Sequence, residues 1–255
     1  MTRPTALDNP FLPHPEQWPP AWYRGTLVGF DLETTGTDAA TARIVTAAVV
    51  HCRPDGTVAD ETRCWLVDPG LPIPAAATAV HGISTERARA NGTPAAVAVP
   101  EILAALERVW DAGLPLVVFN AAYDLSLMDC AALRHGLAPL AERPSWRRAC
   151  IVDPLVIDRE VDRYRRGKRT LQVATDHYRV EAARAHSADG DAEAACQLAR
   201  AIAETYPMIG GADPAMLHRA QANWARAWAA RFQAYLRSGG APTAVVDGAW
   251  PLRAA

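Results

Sequence analysis

The residues best suited to chemistry here are acids placed where acids are costly. Phe30-Asp31-Leu32-Glu33-Thr34-Thr35-Gly36 closes an apolar run that begins at Thr26. The run predicts a buried strand, and strand side chains alternate faces, so Asp31 and Glu33 point the same way. Two carboxylates at the end of such a strand call for a cation, and a hard divalent ion with oxygen ligands is the natural partner. The plainer alternative is a strand end that reaches solvent. Val117-Val-Phe-Asn-Ala-Ala-Tyr-Asp124 reads as a strand followed by a helix. That puts Asp124 in a first helical turn near the carboxyl end of a strand, where open α/β sheets bind ligands. An acid that only complements the helix dipole would sit there too. In His186-Ser-Ala-Asp-Gly-Asp191 the histidine precedes by five residues an aspartate that would begin a helix. Asp191, or Asp189 in its place, also fits a helix cap, and His186 a surface position.

The elements that must hold these residues follow from the apolar pattern. Residues 43–51 and 62–67 are further strands, and Arg53-Pro-Asp-Gly between them has turn chemistry, which suggests an antiparallel meander. Residues 72–93 read as loop with a short helical piece near 75–80. A helix follows over 95–112, with Val99, Leu103, Leu106 and Trp110 on one face, then a buried strand over 114–119. A helix over 123–136 ends at a glycine, and residues 149–152 form a fifth short strand. Residues 159–169 are basic and polar, as in a surface loop or helix end, and helices are expected over 170–178 and 191–206. A last helix opens at Asp213 or Pro214 and runs to about Arg237; Leu217, Trp224, Trp228, Phe232 and Tyr235 share one face and are expected to pack. Strands first, then strands alternating with helices, indicate an α/β layer fold on a mixed sheet. Three regions follow: a proline-rich arm over 1–24, a single domain over 25–206, and a helix and tail over 207–255 packed on it.

Composition narrows the classes. The chain has 255 residues, 50% hydrophobic and 21% charged, enough to bury a real core, which excludes disorder as the whole answer. A formal net charge of −2 gives no global basic field. No apolar run is long enough to span a membrane, and the polar first 20 residues lack a secretion signal's apolar core. Five cysteines without a CxxC pair fit a reducing cytosol and no disulfide framework.

Taken together, FDLETTG, NAAYD and HSADGD resemble, in order and spacing, the three motifs of the DEDDh branch of the 3′–5′ exonucleases, the DnaQ-like group of the RNase H-like superfamily. Val80-His81-Gly82-Ile83 resembles the HGI element those enzymes carry before the second motif. The resemblance runs from about Leu27 to Ala203. Two mild departures are Phe119 and Tyr123, where the family often has His and Phe. It implies an RNase H-like mixed five-stranded sheet flanked by helices, with an added C-terminal helix.

The resemblance also implies a phosphodiesterase that uses two Mg²⁺ or Mn²⁺ ions held by Asp31, Glu33, Asp124 and Asp191. Asp31 would bridge the ions, Glu33 and Asp191 would hold the water-side ion, and Asp124 would act through the other. His186 would be the general base. Nucleoside 5′-monophosphates would leave one at a time from 3′ ends of single-stranded DNA or RNA. Thr34, Thr35, Gly36, His81 and Asn120 are candidates for holding the terminal nucleotide, with a structural turn as the equal alternative for Asn120. Arg165 and Arg166, in the one basic run (Arg159, Arg163, Arg165, Arg166, Lys168, Arg169), could attract the phosphate backbone or simply be solvated. Asp153 is preferred as a turn former over a support for the site. A DNA polymerase is an implied partner; a stand-alone repair or RNA-trimming enzyme is the alternative, and no membrane partner is expected. A phosphatase of the haloacid dehalogenase type is disfavoured, because its second acid would be aspartate and it would need a lysine near the site. A catalytically silent nucleic-acid or polymerase-binding module is the other reading, but all five motif residues are present.

Overall fold

The computed structural model describes residues 21–181 and 186–253. The rest of the expected N-terminal arm, Trp18 included, lies outside the described residues. Trp22 lies inside and is buried, with its indole N–H donating to the Ile209 carbonyl at 2.9 Å.

A mixed sheet has the strand order β4-β3-β2-β1-β5-β6. Strands β1 (Leu27–Thr34), β2 (Ile44–Cys52) and β3 (Arg63–Asp68) form the antiparallel meander. Strands β5 (Pro115–Val117) and β6 (Cys150–Val152) add in parallel beside β1. These are the five strands expected. The sixth, β4 (Thr93–Pro94), is a two-residue edge strand parallel to β3, too short to leave a periodic signal.

Helices α1 (Ala75–His81) and α2 (Thr85–Asn91) lie between β3 and β4. Helix α2 falls where a loop is expected; it is largely exposed and has no apolar stripe, and its signal is the Ser84 hydroxyl, which accepts from the Arg87 N–H. Helices α3 (Ala95–Asp111) and α4 (Ala121–Arg134) cover one face of the sheet. Val28, Phe30 and Leu32 of β1 pack with Leu103, Leu106, Trp110 and Leu125 there. Helices α5 (Pro154–Val161), α6 (Leu171–Tyr178) and α7 (Ala188–Thr205) belong to the opposite layer, where Leu27, Ala48, Val50 and Val117 meet Ala192, Ala195 and Leu198. Part of α5 falls in the stretch expected to be a basic surface loop; Leu155, Val156 and Ile157 bury one face of it.

The side-chain alternation of β1 decides where its acids go. Leu27, Gly29, Asp31 and Glu33 face α7. Gly29 is the closest approach: a β-carbon there would lie 2.2 Å from the Ala192 carbonyl oxygen. The missing side chain lets α7 press against β1 and brings Asp191 beside Asp31. Gly29→Ala is therefore expected to cost at least about 2 kcal/mol, because the obstacle is backbone that cannot turn aside. Chemical denaturation checks this, and an unchanged midpoint would contradict it.

Helices α8 (Pro207–Gly210) and α9 (Pro214–Ser238) complete the chain. Helix α9 packs through Leu217 and Gln221 near β6. The tail returns to place the buried Trp250 against Asp153, with its indole N–H donating at 3.1 Å. The expectation that the whole α9 stripe packs is corrected. Leu217 is buried and Trp224 partly so, but Phe232 is 38% and Tyr235 69% exposed. At 25 residues α9 is about 37 Å long, whereas α5 beneath it has eight, so the helix outruns its support.

Candidate active site

Three carboxylates meet at the end of β1. One ligand atom each from Asp31, Glu33 and Asp191 lies within 4.8 Å of the other two. Asp124 enters from α4. Strand β1 outruns β5, whose pairings with it end at Gly29, and the Asp124 carboxylate takes up the Leu32 N–H at 3.2 Å. Asp124 is buried and close enough to raise the Asp31 pKa, yet it lies outside the tight trio. No described arginine or lysine pairs with any of the four.

The cost of this arrangement appears in the titration. Burial, and then Asp124, Asp191 and Glu33, hold the Asp31 carboxyl well above the usual range. Burial and the Asp191 charge push Glu33 up to about 7, against a smaller lowering by His186. Burial also raises Asp124, opposed by the Leu32 N–H, and Asp191, opposed by His186. Such a group is strained when ionised and eased by a bound cation.

His186 is exposed and adopts a left-handed backbone, φ 63°. It acts electrostatically on both Glu33 and Asp191, so the third motif does converge on the first. Helix α7 begins three residues before the position expected. Ser187 is the cap, accepting from the Gly190 N–H at 3.3 Å, which places Asp191 at the end of the first turn. Neither Asp191 nor Asp189 is needed as the cap.

A cavity of about 260 Å³ opens beside Glu33 and His186, walled by β2, β3, His81 and Arg87. His81 is buried and its Nδ1 accepts from the Ile83 N–H at 3.1 Å. Its Nε2 therefore carries the hydrogen of the neutral ring and is buried facing the Thr34 carbonyl at the end of β1. Trp65 and Arg87 also line this cavity; sequence reasoning missed both, since neither lies in a motif. The Thr34 hydroxyl lies 2.6 Å from the Tyr123 hydroxyl and donates to the Gly36 carbonyl, while Thr35 Oγ1 accepts from the Arg43 N–H at 2.9 Å. These hydroxyls fix the turn after β1. Tyr123, noted only as a departure from the family pattern, is the anchor of that turn.

Asn120 takes a left-handed backbone, φ 67°, at the β5–α4 junction, and its N–H donates to Asp153 at 3.0 Å. Asp153 is buried, caps α5, and also accepts from the Ala121 N–H at 2.9 Å. It supports the backbone that carries Asp124 and does more than form a turn. Arg165 is bound into the fold: it pairs with the buried Asp158 and with Asp162, and Arg169 joins the same Asp158. Arg166 is exposed.

The chain belongs to the family described as Exonuclease (RNase T), which matches residues 28–199. A DNA polymerase III PolC-type protein of Lacticaseibacillus paracasei is 27% identical over 175 residues, covering 69% of this chain and 11% of that protein. A DNA polymerase III subunit epsilon-like protein of Rhodobacter capsulatus is 40% identical over 115 residues, covering 44% of this chain and 15% of the relative. The match thus spans a small part of each relative's length. Among solved structures, E. coli Exonuclease I in complex with a dA16 oligonucleotide aligns with a TM-score of 0.61 and 21% identity, over 72% of this chain and 42% of that one. This likeness shows the shared α/β, RNase H-like exonuclease fold.

Proposed function

We propose that the protein is a divalent-metal-dependent 3′–5′ exonuclease acting on single-stranded nucleic acid and releasing nucleoside 5′-monophosphates. One observation carries the reading: Asp31, Glu33 and Asp191 offer ligand atoms within 4.8 Å of one another, with no described lysine or arginine to neutralise them. An all-oxygen, multiply anionic donor set suits Mg²⁺ or Mn²⁺. Asp31, Glu33 and Asp191 would hold one ion, and Asp31 with Asp124 a second. When bound, such ions supply charge stabilisation for both the entering and the departing oxygen.

The chain's own residues supply the rest. Asp124 is oriented by the Leu32 N–H and so is fixed relative to Asp31. His186, exposed beside Glu33 and Asp191, would take the proton of the attacking water. Water oxygen bonds to phosphorus, the P–O3′ bond breaks, and the phosphate stays on the 5′ oxygen of the released nucleotide. The cavity between Trp65, His81 and Arg87 would seat that nucleotide. The replication names of the relatives favour DNA as substrate and a polymerase as partner. Chromatography of the products from a single-stranded 20-mer tests the reaction: 5′-monophosphates are expected, and 3′-monophosphates or internal fragments would overturn it.

Metal binding has a readout of its own. Glu33 is raised in the folded state, so the folded, metal-free protein holds a proton more tightly than the unfolded chain. Stability from this source is present below about pH 4.5, the ordinary glutamate value, and falls as pH rises toward about 7. Divalent ions need the ionised carboxylates. Mn²⁺ is therefore expected to raise the Tm at pH 7.5 and to do little at pH 5. An equal effect at both values would contradict the site.

A further inference from the structure

The protruding half of α9, which lies outside the matched region, builds a groove of about 490 Å³ against the α5–α6 connection, which lies inside it. Its walls carry Arg159, Arg163, Arg165, Arg169 and Arg231, together with Phe232. Tyr164, 93% exposed, completes one wall. The α9 rings form a ladder: Trp228 and Phe232 stack at 5.1 Å and 21°, and Phe232 and Tyr235 at 6.3 Å and 16°. The Arg159 guanidinium lies 3.6 Å over the Trp228 ring. Asp158, Glu160 and Asp162 offset part of the arginine charge but none of them lines the groove. Arg159 and Trp228 also line a narrower crevice that reaches Asn120, at the start of the helix that carries Asp124.

We propose that this groove holds the 5′-ward part of a single-stranded nucleic acid, with bases extending the aromatic ladder and phosphates on Arg163, Arg231 and the neighbouring Arg166. Cations that track a backbone, beside rings that accept any base, are the chemistry of single-strand recognition. A duplex keeps its base faces stacked away from such rings, and the arginine-lined walls offer no acid to a basic partner. That the strand's 3′ end lies at the carboxylates rests on the exonuclease reading; the groove's affinity does not.

The test is fluorescence anisotropy in chelator, so that nothing is cleaved, with a labelled single-stranded 20-mer and a trinucleotide. Phe232 and Tyr235 are exposed, so Phe232→Ala with Tyr235→Ala spares the core. This pair is expected to weaken 20-mer binding at least about ten-fold, within the range of stacking losses, and to change trinucleotide binding less than about two-fold. Arg231→Gln is expected to flatten the slope of log K against log salt by about 0.7. Parental affinity for the 20-mer in both variants would overturn the groove, and equal affinity for duplex would overturn its single-strand assignment. A parent protein that binds through the groove yet releases no nucleotide with Mg²⁺ or Mn²⁺ would sink the exonuclease reading and leave the groove standing.

Discussion

Asp31→Asn is expected to lower the rate of strand hydrolysis at least about a thousand-fold, equivalent to about 4 kcal/mol of lost transition-state stabilisation. Asparagine keeps the shape and removes the charge. Asp31 is the carboxylate that feels Asp124, Asp191 and Glu33 together, so its loss affects both proposed ion positions. The same change relieves a part-buried like-charge cluster. The metal-free variant is therefore expected to melt above the parent, and its response to Mn²⁺ should shrink. The paired readout separates a site effect from misfolding, which would lower both activity and Tm. A variant within ten-fold of parental rate would remove Asp31 from the centre of the account.

His186→Ala is expected to cost about 10²–10⁴ in rate, the usual contribution of a positioned general base. The side chain is exposed and lies outside the hydrophobic core, so little stability should be lost. The carboxylates remain, so Mn²⁺ should raise the variant's Tm as it does the parent's. Added imidazole should restore part of the rate, since the gap left at the surface admits a small base. Full activity without rescue would show that the proton leaves by another route. Loss of the Mn²⁺ response would show instead that His186 serves the metal.

The site was legible because its parts are local patterns. A period of two puts Asp31 and Glu33 on one face, and a strand-to-helix junction places Asp124 in a first turn. Convergence was less legible, because it depends on packing: Gly29 against the Ala192 carbonyl draws Asp191 to Asp31, and nothing beside Gly29 in sequence announces it. Charge pairing hid in the same way. Arg165 reads as a phosphate contact until Asp158, seven residues away, proves buried and claims it. The stripe on α9 has helical period throughout, but period cannot say where the supporting helix ends. Helix α5 eluded the basic reading because its apolar residues precede the arginines, and its Asp153-Pro154 start is the cap and first position of a helix.

The most direct test of the central claim is a time course on 5′-labelled single-stranded DNA and RNA of one sequence, with Mg²⁺, with Mn²⁺ and with chelator. The account predicts a ladder that shortens from the 3′ end one nucleotide at a time, requires metal, and runs faster on DNA. Intact strands in every lane, from folded protein that still binds them, would contradict it.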